Sequence, residues 1–204
     1  MKEGPIVFLD IDGVLDSYNW FKSRIRRIIY PKSTTEIASY ISRRNLFWVS
    51  LFCRITKAKV VLSSSWRYGW DENGNISASN KGRSVVPTDK LLRKWGINII
   101  SVTPKKSELK NTYDIDYNII PDSYKSRDKK EVYIEYTRGA QILNWIEQHE
   151  YNKSFLIFED DWHDVACFKC LEPHIVKCKF YGFCAGFSFR QFINALRKYK
   201  NGSR

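Results

Sequence analysis

The sequence predicts an α/β fold, a Rossmann-like parallel sheet with helices on both faces. Three observations predict it. Short apolar runs at 6–9, 59–62 and 155–158 read as strands buried on both sides, the pattern of parallel sheets. Stretches of helical periodicity separate them, as crossover connections require. Acidic and hydroxyl residues follow directly after the runs, at the carboxyl edge where open α/β sheets bind ligands.

In chain order, Ile6-Val7-Phe8-Leu9 is the first strand, and it leads into Asp10-Ile11-Asp12-Gly13. Residues from Thr34 to about Thr56 read as helix, in one piece or two, with Thr34 or Thr35 as cap and Ile37, Tyr40, Ile41, Val49 and Phe52 facing inward. Lys59-Val60-Val61-Leu62 is the second strand, followed by Ser63-Ser64-Ser65-Trp66-Arg67. A turn-rich stretch covers 68–86. Thr88 is the expected cap of a helix running to Trp95, with Gly96 ending it. The third strand is expected at Ile97–Val102. Residues 103–136 are charged, Tyr-rich and without periodicity, and read as an insert or flap. A helix from Arg138 to about His149, the fourth strand at Phe155–Phe158, a short helix from Asp164 to Leu171 and a weak fifth strand at Ile175–Cys178 follow. Ser188 caps the last helix.

At 204 residues the chain suits a single domain spanning 1–204, able to bury a core without disulfide or metal staples. With 43% hydrophobic and 27% charged residues it has the composition of a soluble globular protein. No apolar run reaches the roughly 20 residues of a bilayer span. The first five residues lack the apolar core of a signal peptide, so an intracellular, cytoplasmic location is expected, without membrane attachment. Five cysteines without an export signal read as reduced thiols. Cys167-Phe-Lys-Cys170 with His174 and Cys178 suggests zinc, but the spacing is irregular and the sequence apolar, which favours buried thiols.

The net charge is +12. It is concentrated at 22–59, where ten basic side chains meet one acid, Glu36. All but Lys59 of this run falls in a basic, helical, cap-like insert at 17–58, after the first strand. Such a segment attracts a polyanion, although surface Lys and Arg usually form only a solvated face. The stretch 105–138, with eight basic and seven acidic groups, is nearly neutral.

Asp10, Asp12, Asp160, Asp161 and the hydroxyls of Ser63–Ser65 converge on one sheet edge in this reading. Converging carboxylates repel one another and lose hydration, and a hard divalent cation offsets both effects. Mg²⁺ takes one or two carboxylates together with phosphate oxygens, which points to phosphoryl chemistry. The Ser run also fits a simple strand-to-helix cap, Arg67 a surface residue and His163 a solvated loop. Trp66, Trp70, Trp95, Trp145 and Trp162 fit core or rim packing better than base stacking.

The pattern resembles the haloacid dehalogenase (HAD) superfamily. Phe8 to Leu15 is similar to its strand ending in D-x-D-G-[TV], Val60 to Ser63 to its apolar strand ending in Ser or Thr, and Asp160-Asp161 with Asp164 to its acidic motif. Val61 to Arg67, Thr103-Pro104, the helix from Arg138 through Trp145 and Asp160-Asp161 resemble, more narrowly, the HAD-like domain of RNA-repair proteins.

The resemblance implies a phosphatase that works through an aspartyl-phosphate. Asp10 would be the nucleophile and Asp12 the acid and base. Ser63 would hold a phosphate oxygen, and Gly13, Ser64 and Arg67 would line the phosphate site. The family's motif Lys has no counterpart at the matching place, so Arg138 is the candidate, with Lys105 and Lys106 in reserve. Mg²⁺ would be held by Asp10, the Asp12 main-chain carbonyl and Asp160 or Asp161. Nucleic-acid ends are the expected substrate, with a repair-protein partner. A phosphatase for nucleotides or small phosphoesters and a non-catalytic nucleic-acid or protein-binding module are the alternatives.

Overall fold

The computed structural model describes residues 4–17, 41–77, 85–126, 131–182 and 185–202. Lys22, Arg24, Arg26, Arg27 and Lys32 of the basic segment, its proposed caps Thr34 and Thr35, the inward candidates Ile37 and Tyr40, and Cys184 lie outside these residues. Five parallel strands form one sheet in the order β3-β2-β1-β4-β5: β1 Ile6–Leu9, β2 Lys59–Leu62, β3 Ile99–Val102, β4 Phe155–Glu159 and β5 Ile175–Lys177. β1 is fully buried at its centre. From β1 the chain builds outward through β2 to β3, then returns to add β4 on the other side. The order reverses beside β1, and side chains following β1 and β4 are therefore neighbours at a topological switch point.

Alternation along the strands divides the core in two. Val7, Leu9, Leu62 and Phe158 face one layer, which contains α1 (Arg43–Thr56), α2 (Val85–Lys94) and α5 (Phe189–Gly202). Ile6, Phe8, Val61 and Ile157 face the other, which contains α3 (Arg138–Gln148) and α4 (His163–Ala166). The parallel sheet thus has helices on both faces, and a helix follows β1.

Three elements depart from the sequence reading for local reasons. α2 begins at Val85, so Thr88 lies buried inside the helix and not at its cap. Pro87 sits in the first turn, where a missing N–H breaks no helical bond. β3 starts at Ile99 because Ile97 is used to end α2: its N–H donates to the Leu92 carbonyl while Gly96, at φ 76°, donates to Arg93. That pair of bonds is a Schellman motif, and its left-handed residue favours glycine. α4 stops at Ala166 because the backbone beyond it pairs elsewhere. Asp116 N–H donates to the Cys167 carbonyl at 2.8 Å, and Phe168 bridges Ile115.

Those bonds come from the segment 103–136. Its described part is irregular, with 3-10 turns at Asp122–Tyr124 and Ile134–Tyr136, which explains the missing periodicity. Ile120 is buried, and Leu109, Ile115, Ile119 and Tyr124 pack onto the α3 face. Ser188 precedes α5, and the Gln191 side chain accepts from its N–H, half of a capping box. No helix among the described residues is long and apolar enough to cross a membrane.

Phe158 is fully buried, with ring centroids of Phe187 at 4.4 Å and Phe52 at 5.4 Å. Phe158→Ala is expected to lower unfolding free energy by about 3–5 kcal/mol, read from the urea midpoint at unchanged m-value.

Candidate active site

Asp10 follows β1 and is almost completely buried. Its N–H extends the ladder to the Phe158 carbonyl at 3.1 Å, and its Oδ1 accepts from Ile11 N–H at 2.8 Å. The chain then turns sharply. The N–H groups of Val14, Leu15 and Asp16 all point at the Ile11 carbonyl, and Gly13 N–H donates to Asp16 Oδ1 at 2.6 Å. Gly13 adopts φ 69°, and a Cβ there would lie 2.0 Å from Asp160 Cγ. Only glycine permits both the turn and this approach of the β4 acid.

Asp10, Glu159 and Asp160 bring one carboxylate oxygen each within 4.8 Å of the others. Burial is the main force raising the pKa of all three above the usual carboxylate range. For Asp10 it is opposed by Arg138 and by hydrogen bonds from Ser64 and Glu159. Glu159 is raised well above its ordinary value, by burial and then by the charge of Asp10. Asp160 is pushed up to about 6, by burial and then by Asp10. Asp16 beside them is pushed up to about 7 by burial.

Arg138 provides the cation that faces this group. It opens α3, where its guanidinium donates to the Ser63 carbonyl and its Nε lies 3.6 Å from Glu159 Oε2. Its main-chain N–H donates to Asp164 Oδ2 at 3.1 Å, and the Tyr124 hydroxyl donates to the same oxygen at 2.8 Å. Asp164 thus anchors the start of α3 rather than joining the acidic group. Two guanidinia, Arg138 and the Arg67 that also feels the charge of Asp10, do not neutralise three carboxylates, and buried Glu159 Oε2 has no hydrogen-bond partner. This donor set of hard oxygens, under-compensated and with an orphan acceptor, fits a hard divalent cation such as Mg²⁺.

The β2 side carries the opposite chemistry. Ser63 N–H donates to the Leu9 carbonyl at 2.8 Å, which fixes the Ser63 loop beside Asp10. Arg67 lies buried in the 3-10 turn Ser65–Gly69 and donates to the Ser64 carbonyl at 2.8 Å. Ser63 Oγ, Arg67 Nε and Thr103 Oγ1 are buried without hydrogen-bond partners. Unsatisfied buried donors next to an acidic group suit an anion that arrives with a cation. Asp12 stands at the rim. The Trp66 indole N–H reaches both its carboxylate oxygens, at 2.9 and 3.0 Å, and Ser65 Oγ donates to Oδ2 at 3.2 Å.

Asp10, Gly13, Ser63, Ser64, Arg67, Arg138 and Asp160 therefore meet at one edge, with Asp12 beside them. The Asp161 side chain is 72% exposed and turns to His163 at 3.8 Å, outside the acidic group. Lys105 and Lys106 sit over the rings of Tyr68 and Tyr136, at 4.7 and 5.8 Å. The Cys167, Cys170, His174 and Cys178 grouping forms no three-ligand cluster among the described residues, and Cys167 and Cys178 are buried free thiols. Two contributors escaped sequence reasoning. Glu159 ends an apolar strand as an acid, which is itself a signal, but the aspartate pair beside it dominates the pattern. The sequence suggests core or rim packing for Trp66, and nothing in it marks the hydrogen bond to Asp12.

The family described as "HAD domain in Swiss Army Knife RNA repair proteins" matches residues 6–185. No curated protein and no solved structure matches the chain.

Asp16 and Asp160 have folded pKa values pushed up to about 7 and about 6, above the ordinary 3.8. The folded state thus holds protons that the unfolded chain releases. Their stabilising contribution is complete below about pH 4 and is lost as pH rises through 6 and 7. In EDTA the unfolding temperature is expected to fall across that interval. Mg²⁺ is expected to restore it, more strongly at pH 8 than at pH 5, because carboxylates bind metal deprotonated. A thermal melt at each pH with and without metal checks both.

Proposed function

The chain belongs to the family of HAD domains found in Swiss Army Knife RNA repair proteins, and we propose that it is a Mg²⁺-dependent phosphatase acting on phosphorylated nucleic-acid ends. The observation that carries this reading is the buried carboxylate after the central strand, set between two further acids and a row of unsatisfied donors. The family's description and the +12 charge support a nucleic-acid substrate.

In this reading the phosphomonoester enters over the carboxyl edge. Its oxygens take hydrogen bonds from Ser63 Oγ and the following amides, which satisfies donors that otherwise cost stability. Asp10, whose Oδ1 accepts from Ile11 N–H, attacks phosphorus in line through a carboxylate oxygen, displacing the ester oxygen and forming an aspartyl-phosphate. Asp12 protonates the departing ester oxygen, then removes a proton from the water that hydrolyses the phosphoenzyme. Trp66 and Ser65 hold the Asp12 carboxylate in place for both transfers. Arg138 places positive charge beside the nucleophile and anchors the Ser63 loop. Asp10, Glu159 and Asp160 would hold Mg²⁺, which supplies charge to screen the nucleophile from the phosphate and to stabilise the transferring group.

Phosphate release from 5′- and 3′-phosphorylated oligonucleotides, mononucleotides and an aryl phosphate tests the proposal. Release is expected with Mg²⁺, is lost in EDTA, and falls at least about a thousandfold in Asp10→Asn. Asp12→Asn is expected to accumulate acid-labile phosphate on the protein, visible by intact mass. Release from small esters alone favours a nucleotide or small-molecule phosphatase. Oligonucleotide binding without any turnover favours a binding module.

A further inference from the structure

A groove of about 1150 Å³ lies away from the acidic site, along the outer edge of the sheet between β5 and α5. Lys177, Lys179, Arg190, Arg197 and Lys198 line it against a single carboxylate, Glu172. Two elements assemble this charge. Arg190, Asn194 and Arg197 are spaced by four and three along α5 and share one helical face, while Phe192 and Ala195 turn to the core. Lys177 and Lys179 come from the end of the edge strand. Tyr181 and Phe189, 64% and 54% exposed, stand on the groove's wall.

The cations crowd one another. Burial and then the charge of Lys177 hold the Lys198 ammonium below its usual range. A neighbouring anion would relieve that repulsion.

One end of the groove, at Lys177, adjoins the strand end that carries the acidic site. Lys177 is the register partner of Glu159 across β4 and β5, and Cys178 N–H donates to the Glu159 carbonyl at 2.8 Å. Lys177 Nζ also lies 3.2 Å from the ring centroid of Trp162, two residues beyond Asp160. A chain of phosphates whose terminal group sits at Asp10 can pass Lys177 and continue over the cationic face of α5.

We propose that this groove is the path of a single-stranded nucleic acid whose phosphorylated end occupies the Asp10 site. The proposal rests on the phosphatase reading for the position of that end. The cations would neutralise backbone phosphates, and Tyr181 and Phe189 would stack unpaired bases, which a duplex keeps covered.

The test is anisotropy of a fluorescein-labelled 12-mer RNA with a terminal phosphate, bound to the full Asp10→Asn chain, so that no turnover is needed. Arg190→Ala/Arg197→Ala is expected to raise Kd about tenfold at fixed salt and to flatten the log Kd against log salt slope by about 1.4, from about 0.7 per phosphate contact on a single strand. Tyr181→Ala is expected to weaken binding about tenfold, with the affinity recovered in Tyr181→Phe, since stacking needs the ring and not the hydroxyl. All variants are compared at unchanged unfolding temperature. Unchanged affinity and slope in the arginine double variant overturn the proposal. So does a loss that instead follows Lys105→Ala/Lys106→Ala on the opposite edge. Equal binding of a duplex of the same sequence, or equal competition by poly-glutamate, overturns it as well. Turnover by Asp10→Asn would sink the phosphatase reading instead, and the groove measurement would still stand.

Discussion

Three carboxylates with the buried Arg138 guanidinium between them set the terms for the rest of the molecule. Asp10, Glu159 and Asp160 lie within a span where like charges repel strongly in a poorly hydrated setting. Arg138 offsets part of that repulsion, and the surrounding architecture is arranged to keep Arg138 in place. Its backbone is held by Asp164, Asp164 by Tyr124, and its guanidinium by Ser63 and Glu159. α3, α4, the β2 loop and the long 103–136 segment are therefore joined through one ionic centre. The close approach of Gly13 to Asp160 ties the β1 turn into the same assembly.

Much of this was legible in the sequence because parallel sheets bury both faces. A run such as Phe155-Leu-Ile-Phe can be little else, and polar groups at its end must sit on the sheet's carboxyl edge. Asp10, Ser63 and Asp160 lie at that edge, each directly after a strand. The logic fails where identity depends on direction. Adjacent acids on a strand end diverge, and the sequence does not say which way the chain bends after Glu159. Asp161 goes to solvent and Glu159 reaches inward. The Trp66 bond to Asp12 and the buried state of Arg67 are tertiary facts with no local pattern.

Irregular structure and surface charge were the least legible features. The 103–136 segment lacks a period because 3-10 turns and isolated bridges shape it. The sequence drew attention to the basic run at 22–59, where cations are contiguous. The cationic groove combines an edge strand with one face of α5, positions 177 to 198, where five cations are spread among apolar residues and only the fold brings them onto one surface. Charge along a chain and charge on a surface are different quantities, and a +12 chain contains both.

The Tyr124 hydroxyl that reaches Asp164 gives the 103–136 segment a history. Segments added to a finished fold usually diverge freely, because no other part of the domain depends on them. This one supplies a hydrogen bond to the acid that positions Arg138, and its Asp114 and Asp116 backbone pairs with the turn beyond α4. A descendant cannot shorten or exchange it as an independent cassette without also re-solving the support of its cation. Among kindred domains the segment and the start of α3 should therefore be inherited, and altered, together.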